Sequence, residues 1–372
     1  MEQRQFPPIK RIVVKIGSSS LICPTGGPNL SLIENMVYQL ADLHGEGKEV
    51  LLVTSGAIGL GVRRLGYSRR PKTIPEKQAA AAVGQGILIH TYEKFFAEYN
   101  IPVGQVLLTR EDFADRKRFL NARNTMFTLL RMGVLPVINE NDTVAVEEIK
   151  LGDNDNLAAL VGGLVDAEML ILLSDIDGFY TGDPSFAPAR LIPEIREITP
   201  EIEMIASGSK DALGTGGMIT KLQAARIAMH SDMIMVLADS REKNVVRRVV
   251  AGESLGTVFW PSIRLDNRRR WIAYSSTVQG KIHIDEGAAI ALLRKGKSLL
   301  PSGVNRVEGN FEMGNTVSVV EPGGHEIARG IVNFSSAEID AIKGTRTGER
   351  LKPVGCKGYD EVIHRNNMAL NI

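Results

Sequence analysis

The sequence predicts an α/β fold: a mostly parallel sheet covered by helices on both faces, in three layers αβα, followed by a small β-rich module. Two observations carry this. As far as Trp260, apolar runs of strand length alternate with stretches of helical period, the rhythm of a parallel sheet whose crossovers are helices. Beyond Trp260 the texture changes to short strand-like runs separated by glycine-rich turns. At 372 residues the chain is also longer than one ordinary domain.

Arg11 to Ile16 reads as the first strand, followed by Glu49 to Val53, Pro102 to Leu108, Leu135 to Ile138, Met169 to Leu173 and Met233 to Leu237. Between the first two, Leu32, Met36, Leu40 and Leu43 recur at three- and four-residue spacing and mark an amphipathic helix. Further helices are expected over Ala79 to Phe96, Ala122 to Leu130, Leu157 to Val165 and Lys221 to Met229. In the second part, Arg268 to Ala273, Lys281 to Ile284, Thr316 to Val320 and Ile327 to Val332 read as strands. Brief helices are expected around Glu286 to Arg294 and Ser335 to Lys343. No repeat with a period of tens of residues calls for a solenoid.

Composition excludes several classes of function. No apolar stretch approaches the roughly 20 residues of a bilayer helix, so no membrane association is expected. The amino terminus runs from a short polar lead into the first strand without an apolar h-region or cleavage site, so a cytoplasmic, reducing location is expected. Cys23 and Cys356 then read as thiols rather than a disulfide. Charge is balanced in both parts: 28 basic against 31 acidic residues over 1–263, and 12 against 11 over 276–372. The cluster Arg264, Arg268, Arg269 and Arg270 reads as a solvated linker or interface rim.

Phosphate chemistry enters at the strand ends. Lys15 interrupts the first apolar run, and Gly17-Ser18-Ser19-Ser20 can turn the chain while presenting N–H groups to an anion. Thr54-Ser55-Gly56-Ala57 ends the second strand in small side chains that allow a ligand close to backbone. Asn139-Glu140-Asn141-Asp142 and Gly152-Asp153-Asn154-Asp155 supply carboxylates and carboxamides, with Asp142 suited to a substrate ammonium and Asn154 both donor and acceptor. The second cluster also fits helix caps and turn residues. Ser174-Asp175-Ile176-Asp177-Gly178 opens a polar loop suited to a base and ribose. Gly214-Thr215-Gly216-Gly217-Met218-Ile219-Thr220-Lys221 brings backbone N–H groups, a hydroxyl and an ammonium to the start of a helix, where they can converge on polyphosphate. No Walker A loop, dinucleotide fingerprint, protein-kinase signature or Gly-X-Ser-X-Gly elbow is present.

These six motifs, in this order, resemble the glutamate 5-kinase family within the amino acid kinases, and residues 277–355 resemble a PUA domain. The resemblance implies an amino acid kinase catalytic domain over 1–260, a linker over 261–276, a β-rich PUA-like barrel over 277–355 and a C-terminal tail over 356–372. It implies ATP-dependent phosphorylation of the L-glutamate γ-carboxylate, the first step of proline biosynthesis, with Mg2+ accompanying ATP. By the same resemblance Lys15 and Lys221 contact phosphates and Asp155 orients them, while Ser55, Asp142 and Asn154 bind glutamate. Ser174, Asp175, Thr215, Gly216, Gly217, Met218, Ile219, Thr220 and Lys221 line the nucleotide site. Proline is implied as a feedback inhibitor, a homo-oligomer (dimer or tetramer) as the assembly, and glutamyl phosphate reductase as the recipient of the product. RNA binding by the PUA-like module is a competing function, but its balanced charge offers little counterion release.

Overall fold

In the computed structural model the chain divides into two compact units, Met1–Arg264 and Leu265–Ile372. The structure describes residues 3–23, 26–67, 69, 71–144, 154–182, 189–208, 217–261, 271–345 and 360–370.

The first unit contains β1 (Arg11–Ile16), β2 (Glu49–Val53), β3 (Val103–Leu108), β4 (Leu135–Glu140), β5 (Met169–Ser174), β8 (Glu194–Ile195), β9 (Ile234–Asp239) and β10 (Thr257–Phe259), with a small hairpin of β6 (Phe179–Tyr180) and β7 (Leu191–Ile192) outside the main sheet. Among the described residues these eight strands form one sheet in the order β3-β4-β2-β1-β5-β9-β10-β8. Every pairing is parallel except β9 with β10. The central strand β1 sets Lys15 opposite Val53 of β2 and Leu172 of β5. Because neighbouring parallel strands end at the same edge, the polar segments after β1, β2, β4 and β5 gather there.

Both faces of the sheet are covered. Ile12, Val14, Val50, Leu52, Ile171 and Val236 pack with α2 (Leu30–Gly45), α4 (Ile74–Ala97) and α10 (Val245–Val250) in one core. The alternate residues Val13, Leu51, Leu170, Leu172 and Met235 are equally buried, and Val13 faces α7 (Asn154–Leu164) at Gly162. Strand periodicity of two divides these aliphatic side chains between the layers.

Helix starts follow from capping more than from apolar periodicity. The α4 helix begins at Ile74 because Thr73 and Glu76 form a reciprocal capping box and Pro75 sits in the first turn. Asp115 accepts from Arg118 N, which starts α6 (Arg116–Arg131) ahead of the expected Ala122. The helix expected over Lys221 to Met229 is α9, Met218–His230, and the one expected from Leu157 is α7.

The second unit is built on a five-stranded sheet in the order β12 (Val304–Glu308), β11 (Val278–Ile284), β13 (Thr316–Val320), β14 (Glu326–Ile331), β15 (Met368–Leu370), with helices at Glu286–Lys295 and Ser336–Ile342. Its core joins Ile282, Val317, Val319, Ile339 and Met368. One expected strand is corrected. Residues 268–270 of it lie outside the described residues, and Trp271–Ser275 is a π-helix closed by Ser276 N to Trp271 O at 2.9 Å. Consecutive residues Ile272 and Ala273 are both buried, and the Ala273 carbonyl accepts from the Arg329 guanidinium at 2.7 Å instead of joining a strand ladder. Among the described residues no helix is long and apolar enough to cross a membrane.

Candidate active site

Two lysines and one carboxylate occupy the floor of the site. Lys15 is the next-to-last residue of β1, Asp155 stands in the first turn of α7, and Lys221 stands in the first turn of α9. One Asp155 oxygen pairs with Lys15 Nζ and the other with Lys221 Nζ at 3.3 Å. All three are buried, Asp155 completely. Burial alone pushes the Asp155 carboxyl up, but the attraction of Lys15 and then Lys221 outweighs it and holds the group below the usual carboxylate range. Among the described residues, two lysine ammonium groups thus share one buried carboxylate.

Beside this floor lies a hydrogen-bond cluster centred on Asn154. Its Nδ2 lies 2.7 Å from Ser55 Oγ, 2.9 Å from Thr54 O and 3.0 Å from Asn139 Oδ1, three acceptors for two hydrogens. The opposite ends of the same amides, Asn154 Oδ1 and Asn139 Nδ2, are buried with no hydrogen-bond partner among the described residues. A buried donor and acceptor left unpaired cost stability unless a ligand completes them. Gly56 holds Ser55 in place by starting α3 (Ala57–Arg64) from a left-handed conformation, φ 96°, that a side chain would strain. Thr54 is braced from behind by a 3.0 Å bond to the Tyr92 hydroxyl, whose burial pushes the phenol up. Asp142 is half-buried in the turn after β4, at the same sheet edge.

A third group lies where β5 and β9 end. Ser174 Oγ donates to Asp175 Oδ1 at 3.0 Å, and Ser240 N donates to Ser174 O at 2.8 Å. The Arg241 guanidinium donates to both oxygens of Asp239 and to Asp175 O, and Tyr180 Oη donates to Asp177. Thr220 Oγ1 donates to Gly217 O at 2.8 Å and approaches Asp155 Oδ2 at 3.4 Å. Gly217 caps α9, Met218 is half-buried and Ile219 is exposed. Thr215 and Gly216 lie outside the described residues, as do Gly152 and Asp153.

The structure therefore brings Lys15, Asp155 and Lys221 into contact, and Ser55 and Asn154 into contact. Sequence reasoning placed Asn139 and Thr54 within polar motifs without giving either a role of its own, and passed over Tyr92. Asn139 was visible as a carboxamide closing an apolar strand, whereas nothing local marked Tyr92. Asp239, Ser240 and Arg241 were also missed, although they form the polar end of β9 just as Ser174 and Asp175 form that of β5.

Comparison with known proteins follows the same division. A profile described as the amino acid kinase family matches residues 10–239, and the PUA domain profile matches residues 280–367. The chain is 52% identical to a glutamate 5-kinase of Moorella thermoacetica over 97% of this chain and 96% of that protein. It is 52% identical to one of Caldanaerobacter subterraneus subsp. tengcongensis over 97% of each. Against one of Geobacter sp. (strain M21) it is 47% identical over the full length of both. A kinase unit carrying this buried lysine–carboxylate–lysine floor, joined to a PUA unit and matched across its length by these relatives, makes the chain a member of the glutamate 5-kinase family.

Proposed function

We propose that the protein transfers the γ-phosphoryl group of ATP to the γ-carboxylate of L-glutamate, giving ADP and L-glutamyl 5-phosphate, the first step of proline biosynthesis. The observation that carries this is the buried group in which Lys15 and Lys221 share the Asp155 carboxylate, beside amide ends of Asn139 and Asn154 that have no hydrogen-bond partner among the described residues. The lysines suit an anionic phosphate, and the amide ends with the Ser55 hydroxyl suit a zwitterion that needs both donors and acceptors. Asp142 supplies the charge for its ammonium.

A γ-carboxylate oxygen attacks the γ-phosphorus as the bond to the β,γ-bridging oxygen breaks, and that electron pair leaves on ADP. No proton moves in this step, because a glutamate carboxyl with a reference pKa of about 4.3 is already ionised at neutral pH. What must be overcome is repulsion between two anions, and Lys15 and Lys221 offset it as charge shifts onto the leaving group. Asp155 pairs with both ammonium groups and so holds them in place. Its two oxygens are committed to lysines, so the donor set fits magnesium arriving on the nucleotide's phosphates and water rather than an ion held by protein carboxylates. Bound that way, magnesium would supply further neutralisation of phosphate charge.

A substrate panel tests the reading. Trapping the acyl phosphate with hydroxylamine should yield hydroxamate from glutamate and far less from acetylglutamate or aspartate, with little phosphorylation of UMP; the reverse ranking would replace it. Asp142→Asn should raise the glutamate KM tenfold or more while the ATP KM stays nearly constant, since loss of a charge-assisted contact to a buried partner costs about 2–5 kcal/mol. Equal rises in both constants would remove Asp142 from the ammonium site. Proline shares the α-carboxylate and cationic amine, so it should compete with glutamate, and its inhibition should weaken in the same variant. Self-association as a dimer or tetramer and handover of the reactive acyl phosphate to glutamyl phosphate reductase belong to this reading.

A further inference from the structure

Residues 175–178 join the end of β5 to β6, and their conformation is set from a strand remote in sequence. Thr257, the first residue of β10, is completely buried. Its Oγ1 accepts from Phe179 N at 2.8 Å and donates to Ile192 O at 2.6 Å, so one hydroxyl ties both strands of the β6–β7 hairpin to the main sheet. The contact is close by necessity. A Cβ on Gly178 would lie 2.7 Å from Thr257 Oγ1 and 2.5 Å from Leu191 Cδ1, so only glycine lets the loop settle onto the hydroxyl. Phe259, two residues along and on the same face of β10, meets the buried Phe179 ring edge-on at 6.5 Å between centroids. On the other side, the Arg4 guanidinium donates to Leu255 O at 2.6 Å, Gly256 O at 2.8 Å and Pro193 O at 3.0 Å. It thus holds the chain just before Thr257 and just after Ile192.

We propose that Thr257 is a positioning residue for the nucleotide: its hydroxyl fixes Phe179 and Ile192 and so sets the loop that follows Ser174 and carries Asp175 and Asp177. This rests on the reading that the loop walls the nucleotide site. Thr257 touches no candidate substrate group and acts only through the loop. A valine of nearly the same shape would remove the hydroxyl that accepts from the buried Phe179 N–H and donates to the Ile192 carbonyl, loosening the loop while the glutamate cluster at the ends of β2, β4 and the start of α7 keeps its own bonds.

Calorimetric titration of the full-length enzyme with a non-hydrolysable ATP analogue, alongside steady-state kinetics, tests this. Thr257→Val should weaken analogue binding and raise the ATP KM about tenfold, leave the glutamate KM within about twofold, and be rescued by Thr257→Ser, which restores the hydroxyl. Thr257→Ala removes the hydroxyl without adding bulk and should behave like the valine variant. Wild-type analogue affinity in either folded variant, equal losses for both substrates, or failure of serine to rescue would overturn the proposal. If neither hydroxyl-free variant folds, amide exchange in the wild-type enzyme decides: the analogue should slow exchange at Phe179, and exchange indifferent to it sinks the idea. Asp175→Asn separates this proposal from the reading beneath it. Unchanged analogue binding in Asp175→Asn removes the loop from the nucleotide site; weakened binding there with intact binding in the Thr257 variants removes only the role of Thr257.

Discussion

Lys221→Ala should lower kcat by about 10²- to 10³-fold while the glutamate KM changes little, the range observed when one preorganised charge-stabilising donor is removed from a transition state. The split between the constants follows from position. Lys221 stands at the start of α9 against Asp155, whereas the groups suited to glutamate stand on β2, β4 and α7. On the proposed mechanism the ammonium acts where charge moves from the γ-phosphoryl group to ADP, and the transition state needs it more than bound glutamate does. Lys221→Arg should recover only part of the loss, because a planar guanidinium cannot occupy the point-charge position of an ammonium wedged against a buried carboxylate. Near-normal turnover of the alanine variant at saturating ATP and glutamate would exclude this role.

Asp155→Asn should abolish most activity and also destabilise the kinase unit by about 3–5 kcal/mol at neutral pH, because it leaves two buried ammonium groups without their shared counter-charge. The pH dependence has a definite sign. The folded carboxyl lies below its ordinary value, so its contribution is present in full above the unfolded pKa of about 3.9 and is lost as pH falls through the lower folded value. Thermal melts of the two proteins should therefore differ most near pH 7 and converge in strong acid. A gap that persists undiminished below the folded pKa would mean that Asp155 stabilises by packing rather than by charge. Lys15→Met in the same background should recover stability without activity, since it removes one of the two buried like charges that Asp155 had bridged.

Much of the first unit was legible along the chain because its strands are continuous aliphatic runs. β1 and β2 have the bounds expected for them, and β13 in the second unit does as well. Helix starts were less legible, since Thr73, Asp115 and Gly217 lie ahead of the apolar periodicity that marks a helix. The short strands β6, β7, β8 and β10 carry too few residues to show alternation. Their existence depends on partners far away, such as Thr257 for Phe179 and Ile192. β15 similarly becomes a strand only because β14 offers a free edge to Met368–Leu370.

The sequence by itself determined the α/β class, the six polar motifs at strand and helix ends, and the residue types able to handle a phosphate and an amino acid. These are local properties: an apolar run, a glycine turn and a lysine at a strand end can each be read within a few residues. Tertiary structure alone decided that Lys15, Asp155 and Lys221 share one buried ion-pair group, that Asn139 and Asn154 each keep one amide end without a partner among the described residues, and that Thr257 holds the loop beyond Ser174. The physical reason is that charge pairing, desolvation and hydrogen-bond satisfaction depend on distance in space, and parallel strands with crossover helices bring residues more than a hundred positions apart to the same sheet edge.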